Sequence, residues 1–177
     1  MLNFIVLSTR GCCLYHFNVT EPKIMKGVIT MEKITKERLL NAGWYEDRKI
    51  TISNMMQEYQ KIGLEMPINV ELFLKEFGML KIDPTNKKYY DVDFNPLNII
   101  GDYFDGDYFK ECLIEYGINK VSYPIGTARK DNLMILLTEE NEFYCFTDGC
   151  LIKVGDCIED MLDCLVGECR EAEILVN

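Results

Sequence analysis

The sequence predicts a single α+β domain whose sheet is mainly antiparallel. Three observations carry this reading. Helical patterns crowd the stretch after residue 31, four short strand patterns succeed one another between residues 121 and 154, and no strand–helix–strand rhythm joins them. A chain of 177 residues fits one domain and can bury a core of its own.

The elements follow in order. Thr35 reads as an N-cap for a helix over 36–42, and Gly43 as its left-handed stop. In WYEDRKITIS, Ile50 and Ile52 alternate with polar residues, as in a short strand. Asn54 to Gln57 fits a capping box, opening a helix that runs to Gly63. Pro67 opens a third helix over 68–77, with Val70, Phe73, Leu74 and Phe77 on one face and Gly78 at its end. Strands are expected at 79–82 and 89–94, joined by a Pro-Thr-Asn turn. Asn95-Pro96 starts a short helix ending at Gly101. Asp105 or Asp107 caps a longer helix through Tyr116, with Phe109, Leu113 and Tyr116 on its apolar face. Four strands follow at 121–125, 132–137, 142–146 and 150–154, with Asp148-Gly149 as a hairpin turn. Asp156 caps a final helix carrying Ile158, Met161, Leu162 and Leu165, closed by Gly167.

Charge narrows the function classes. The net charge is −10, and its distribution is uneven: residues 31–90 hold nine acids and ten bases, residues 91–177 nineteen acids and six bases. Phosphate backbones and anionic lipid repel such a chain, so neither nucleic acid nor membrane is the expected partner. A basic protein is. No run of about 18 apolar residues offers a membrane span. The eight cysteines include no Cys-x-x-Cys pair, which argues against zinc ribbons and thioredoxin-like sites and for thiols buried in a reducing, cytoplasmic setting.

Residues 1–30 look foreign to the rest. They show no period and carry the only histidine, His16. A fresh start is visible at Met31, and Lys26-Gly27-Val28 can be encoded by a purine-rich sequence resembling a ribosome-binding site. The expectation is an upstream extension over 1–30 and one domain over 31–170, whose core then has no histidine.

Catalytic chemistry is weighed mostly against. Without a histidine beyond position 16, triads and His-based acid–base work are not available. No Walker pattern or G-x-G-x-x-G is present. Asp91-x-Asp93-x-Asn95 opens like a calcium loop, but Pro96 stands where the sharp turn needs glycine and Asp102 where a bidentate Glu belongs. No metal or other cofactor is expected. Asp102, Asp105 and Asp107 cluster at a helix start, and Glu139, Glu140 and Glu142 at a strand turn. They fit helix capping and a solvated face, a glycosidase-like carboxylate pair, or an acidic surface that meets a basic cleft. Tyr103, Phe104, Tyr108 and Phe109 interleave with the aspartates, a composition common at binding hot spots, and Tyr103 and Tyr108 are the expected exposed pair. The candidate partner-binding residues are therefore Asp102, Tyr103, Asp105, Asp107, Tyr108, Glu139, Glu140 and Asp148.

The order AGWYEDR, FLKEFGML, DFNPLNIIGD and YPIG, then a terminal meander and helix, resembles the third subfamily of the SUKH superfamily of bacterial immunity proteins. The likeness covers nearly all of 35–167. It rests on Gly43, Trp44 and Arg48, on Phe73, Phe77, Gly78 and Leu80, and on Phe94, Pro96, Pro124, Ile125 and Gly126. Met79 departs from it, where the family often has a second glycine. The resemblance implies a twisted sheet backed by helices and a non-enzymatic protein that neutralises a cognate polymorphic toxin, often a nuclease. The wider superfamily also contains regulatory binding modules of cell-wall and signalling control. Trp44, after a C-cap glycine, is expected in the core, and Arg48 beside an internal carboxylate.

Overall fold

A computed structural model describes residues 30–84, 91–101, 104–147 and 149–176. Its centre is a seven-stranded antiparallel sheet in which every strand pairs with its sequence neighbours. The strands are β1 (Lys81–Ile82), β2 (Val92–Asp93), β3 (Ser122–Ala128), β4 (Leu133–Thr138), β5 (Phe143–Thr147), β6 (Cys150–Gly155) and β7 (Glu173–Val176). The helices are α1 (Lys33–Asn41), α2 (Ser53–Lys61), α3 (Ile68–Phe77), α4 (Gly106–Glu115) and α5 (Ile158–Leu162), with a 3-10 turn at Pro96–Asn98 and a π turn at Asp163–Gly167. The α+β reading holds. No helix among the described residues is long and apolar enough to cross a membrane.

The unbroken run Leu133–Leu137 is explained by cover on both sides of the sheet. Leu133, Ile135 and Leu137 enter the main core with α1, α2, α3 and α5, while Met134 and Leu136 enter a second core under α4. A strand with one wet face would alternate; one with two dry faces reads as continuous apolar sequence. The main core centres on Phe73, whose ring lies 5.2 Å from Phe77, 5.4 Å from Phe94 and 5.9 Å from Phe143. Phe109 and Leu113 bury the expected face of α4 against Leu136, Tyr144 and Phe146.

Several local expectations are corrected. Thr35 does not cap α1. It lies inside the helix, fully buried, and its hydroxyl donates to the Asp163 carboxylate, which also accepts from the Glu32 N–H at 3.0 Å. Ile50 and Ile52 form no strand: the Ile50 N–H donates to the Lys75 carbonyl at 2.9 Å, so the extended segment is tied to the end of α3. Asn54 to Gln57 form no capping box, since α2 begins at Ser53 with no side-chain cap bond. Asp156 does not cap the last helix. Cys157 stands at the N-cap, and the Asp156 carboxylate pairs with Lys153 at 2.6 Å. Arg48 donates to the Glu76 backbone carbonyl at 2.6 Å, and among the described residues no ion pair joins it to a carboxylate. Trp44 is buried and stacks on Phe77 with an interplanar angle of 1°. β7 was not expected; it covers β6, with Lys153 opposite Glu173.

Gly126 is among the glycines set by close approach. At Gly126 the backbone of β2 comes so near that an added Cβ would collide with the Asp93 carbonyl oxygen and lie 2.8 Å from the Phe94 Cα. A β-bulge between Pro124 and Gly126 accompanies this contact.

Candidate functional site

The site begins with an incomplete pairing. β2 joins β3 only at Thr127 and Ala128. Among the described residues, no strand pairs with the first half of β3 on that side. Pro124 suits such a position because it has no N–H to leave unpaired. Its carbonyl is taken instead by the buried Tyr59 hydroxyl of α2.

Beside this half-strand opens a cleft of about 830 Å³. The α2–α3 loop contributes Leu64, Glu65 and Met66; α4 contributes Asp107, Lys110 and Ile114. Asn119 to Tyr123 and Glu139 also line it. The cleft joins elements from opposite faces of the sheet, since α2 and α3 pack on the main core and α4 on the second. The start of α4 abuts the end of α2: a Cβ on Gly106 would sit 3.2 Å from the Ile62 carbonyl oxygen.

Two of the acidic groups read from the sequence meet here. Asp107 and Glu139 lie 32 positions apart in the chain and line the same cleft. Asp105 has a structural task, accepting from the Asp107 and Tyr108 N–H groups at 3.1 Å each as the N-cap of α4. Tyr108 is 67% exposed just outside the lining. Glu140 lies beside the cleft and pairs with Lys120 at 2.6 Å. Asp102, Tyr103 and Asp148 fall outside the described residues.

The electrostatics divide the acids into two groups. Lys120 bridges Glu140 and Glu142, and Lys153 bridges Glu142 and Asp156. The Lys120 bond holds the Glu142 carboxyl below the usual range, and bonds to Glu140 and Glu142 hold Lys120 above its own. Glu65, Asp107 and Glu139 are in no ion pair among the described residues. Glu139 accepts from the Tyr123 hydroxyl at 3.2 Å. Burial, then the negative charges of Glu139 and Glu65, push that phenol up to about 12. Tyr123 thus stays a neutral donor to Glu139.

Sequence reasoning missed Glu65, Ile114, Val121 and Tyr123. Ile114 and Val121 are 49% and 43% exposed, and apolar residues lying off their element's buried face were the available signal. The α2–α3 loop has no period, so nothing in the order of residues places Glu65 near Glu139.

Elsewhere the carboxylates serve turns. The Asp91 carboxylate accepts from the Lys130 N–H at 3.0 Å, and Asp93 from Asn98 at 3.3 Å. Among the described residues no group of three or more His, Cys, Asp or Glu could hold a metal ion. Burial raises the Cys145 thiol to about 12 and Cys164 to about 11, which suits inert packing rather than nucleophilic use.

The arrangement, a partly apolar cleft whose lip carries Glu65, Asp107 and Glu139, suits binding of a complementary surface. No curated protein and no solved structure matches the chain. The family model described as SUKH-3 immunity protein matches residues 31–168, and the chain belongs to that family.

Proposed function

We propose that this protein is a bacterial immunity protein that binds a cognate polymorphic toxin domain and neutralises it one to one by covering its active site. The toxin is a basic nuclease, and the encounter takes place in the cytoplasm. Membership of an immunity-protein family supports the general role. The observation that carries the finer reading is the acidic surplus after residue 90, part of which stands at the cleft as Asp107 and Glu139 without cationic partners. A nuclease cleft is basic because it holds phosphates, so an acidic, partly apolar surface can compete for it. No catalytic step is required of the immunity protein. The acting unit is residues 31–170, and residues 1–30 are dispensable to it.

The test is co-expression with the toxin encoded beside it. Cells carrying the immunity protein survive, the two chains co-purify in equal amounts, and added salt slows their association. Death of the protected cells, or purification of the two chains apart, would falsify the reading.

A further inference from the structure

We propose that the cleft between the α2–α3 loop and α4 is the anchor site for the toxin domain. Its occupant is a basic amphipathic segment, with apolar side chains on the floor and Lys or Arg at the lip. This rests on the toxin-binding reading and adds the place and the chemistry of contact.

Apolar surface comes first. Ile114 and Val121 are about half exposed, and Leu64, Met66 and Phe104 are partly buried in the same lining. Covering them removes apolar area from water, the usual source of affinity at an anchor.

Charge selects the occupant. Several acids nearby or elsewhere are matched within the protein: Glu58 by Lys61, Glu71 by Lys75, and Glu140 and Glu142 by Lys120. Glu65, Asp107 and Glu139 line the cleft without such a match among the described residues. Lys110 shares the lining and offsets one of them, and Lys120 is committed to its own pairs, so a surplus of negative charge remains. A second copy of this chain is a poor occupant, because a net charge of −10 repels itself. A phosphate-bearing ligand is repelled for the same reason.

Backbone chemistry sets the mode. An extended partner would have to add a strand along the half of β3 that lacks a strand neighbour, and that half is buried. Pro124 offers no N–H there, and its carbonyl already accepts from Tyr59. Strand addition is blocked, which leaves side-chain insertion.

The experiment uses the full chain and two probes: the neighbouring toxin domain with its catalytic residues inactivated, and synthetic peptides that interleave Leu with Lys or Arg. Amide and methyl NMR shifts report occupancy at Ile114, Val121 and Glu139. Calorimetry compares wild type with Ile114→Asp, with Glu65→Lys/Asp107→Lys, and with Leu40→Asp as a control on α1; circular dichroism confirms that each is folded. Both probes are expected to shift the cleft resonances. Ile114→Asp should lose at least about tenfold in toxin affinity. The double charge reversal should flatten the salt dependence, and Leu40→Asp should bind as wild type. Toxin binding that leaves the cleft resonances and the Ile114→Asp affinity unchanged overturns the inference while the toxin-binding reading stands. Basic peptides that fill the cleft while the toxin does not bind overturn that reading and leave the cleft chemistry standing. Failure of both probes overturns both.

Discussion

The Tyr59 hydroxyl donates to the Pro124 carbonyl inside the protein, tying α2 to the part of β3 that has no neighbouring strand among the described residues. Tyr59 is fully buried, and burial raises its phenol so that it remains a donor throughout the physiological range. Tyr59→Phe keeps the ring and leaves a buried carbonyl without its partner. The expected loss is about 1–3 kcal/mol, read as a lower urea midpoint with an unchanged slope. An unchanged midpoint would show that the bond adds nothing.

Asp105 and Asp107 stand two positions apart and do different work. Asp105→Ala removes the α4 cap and should cost about 1 kcal/mol in thermal melts. Asp107→Asn should stay within about 0.5 kcal/mol of wild type in stability and weaken the toxin complex. The reverse pattern would contradict the assignment of cap and lip.

Met79 sits in the left-handed region with φ 63°, one residue beyond the C-cap of α3, and its side chain is half exposed. Gly78 before it has φ −53°, so the turn places its unusual conformation on the methionine. Met79→Gly should raise stability by about 0.5–1 kcal/mol, since little packing is lost and the Cβ strain is relieved. A drop in melting temperature would mean that the side chain's contacts outweigh the strain.

Acid should act through Glu142. Its folded value lies below the ordinary 4.5, chiefly through the Lys120 hydrogen bond. It therefore adds stability that is complete above 4.5 and is lost as pH falls through the depressed folded value. Lys120 has the opposite sign: its contribution is complete below its ordinary 10.5 and lost only as pH rises through its raised folded value. The melting temperature should thus decline on the acid side, and Glu142→Gln should flatten that decline. An equally steep acid limb in the variant would assign the effect to other carboxylates.

How much was legible depended on where each residue's partner lies. α3 was readable end to end because Pro67, the stripe of Val70, Phe73, Leu74 and Phe77, and Gly78 are all local signals. The strands of the meander were readable within a residue or three because turns and apolar runs bound them. Ile50 and Ile52 misled because alternation reports burial without naming the partner, here the carbonyl end of a helix. Thr35 misled because its acceptor, Asp163, is 128 positions away. The candidate site was half legible. Its acids were visible as clusters, but the cleft is assembled from four separated segments. Nothing local distinguished Glu140, held by Lys120, from Glu139, which is not.

The order of the elements has a consequence for synthesis. α1, α2 and α3 leave the ribosome first, yet Leu39, Met55, Tyr59, Phe73 and Phe77 are covered by β3 to β6 and by the turn after α5. α1 is fastened to that turn through Asp163 and through Arg38, which donates to the Val166 carbonyl and lies 3.0 Å from the Glu168 carboxylate. A nascent chain therefore carries three uncovered helix faces until its last third is made. Under the proposed neutralising role this imposes a lead time: translation must run past Glu168 before the first complete core can form and bind a toxin.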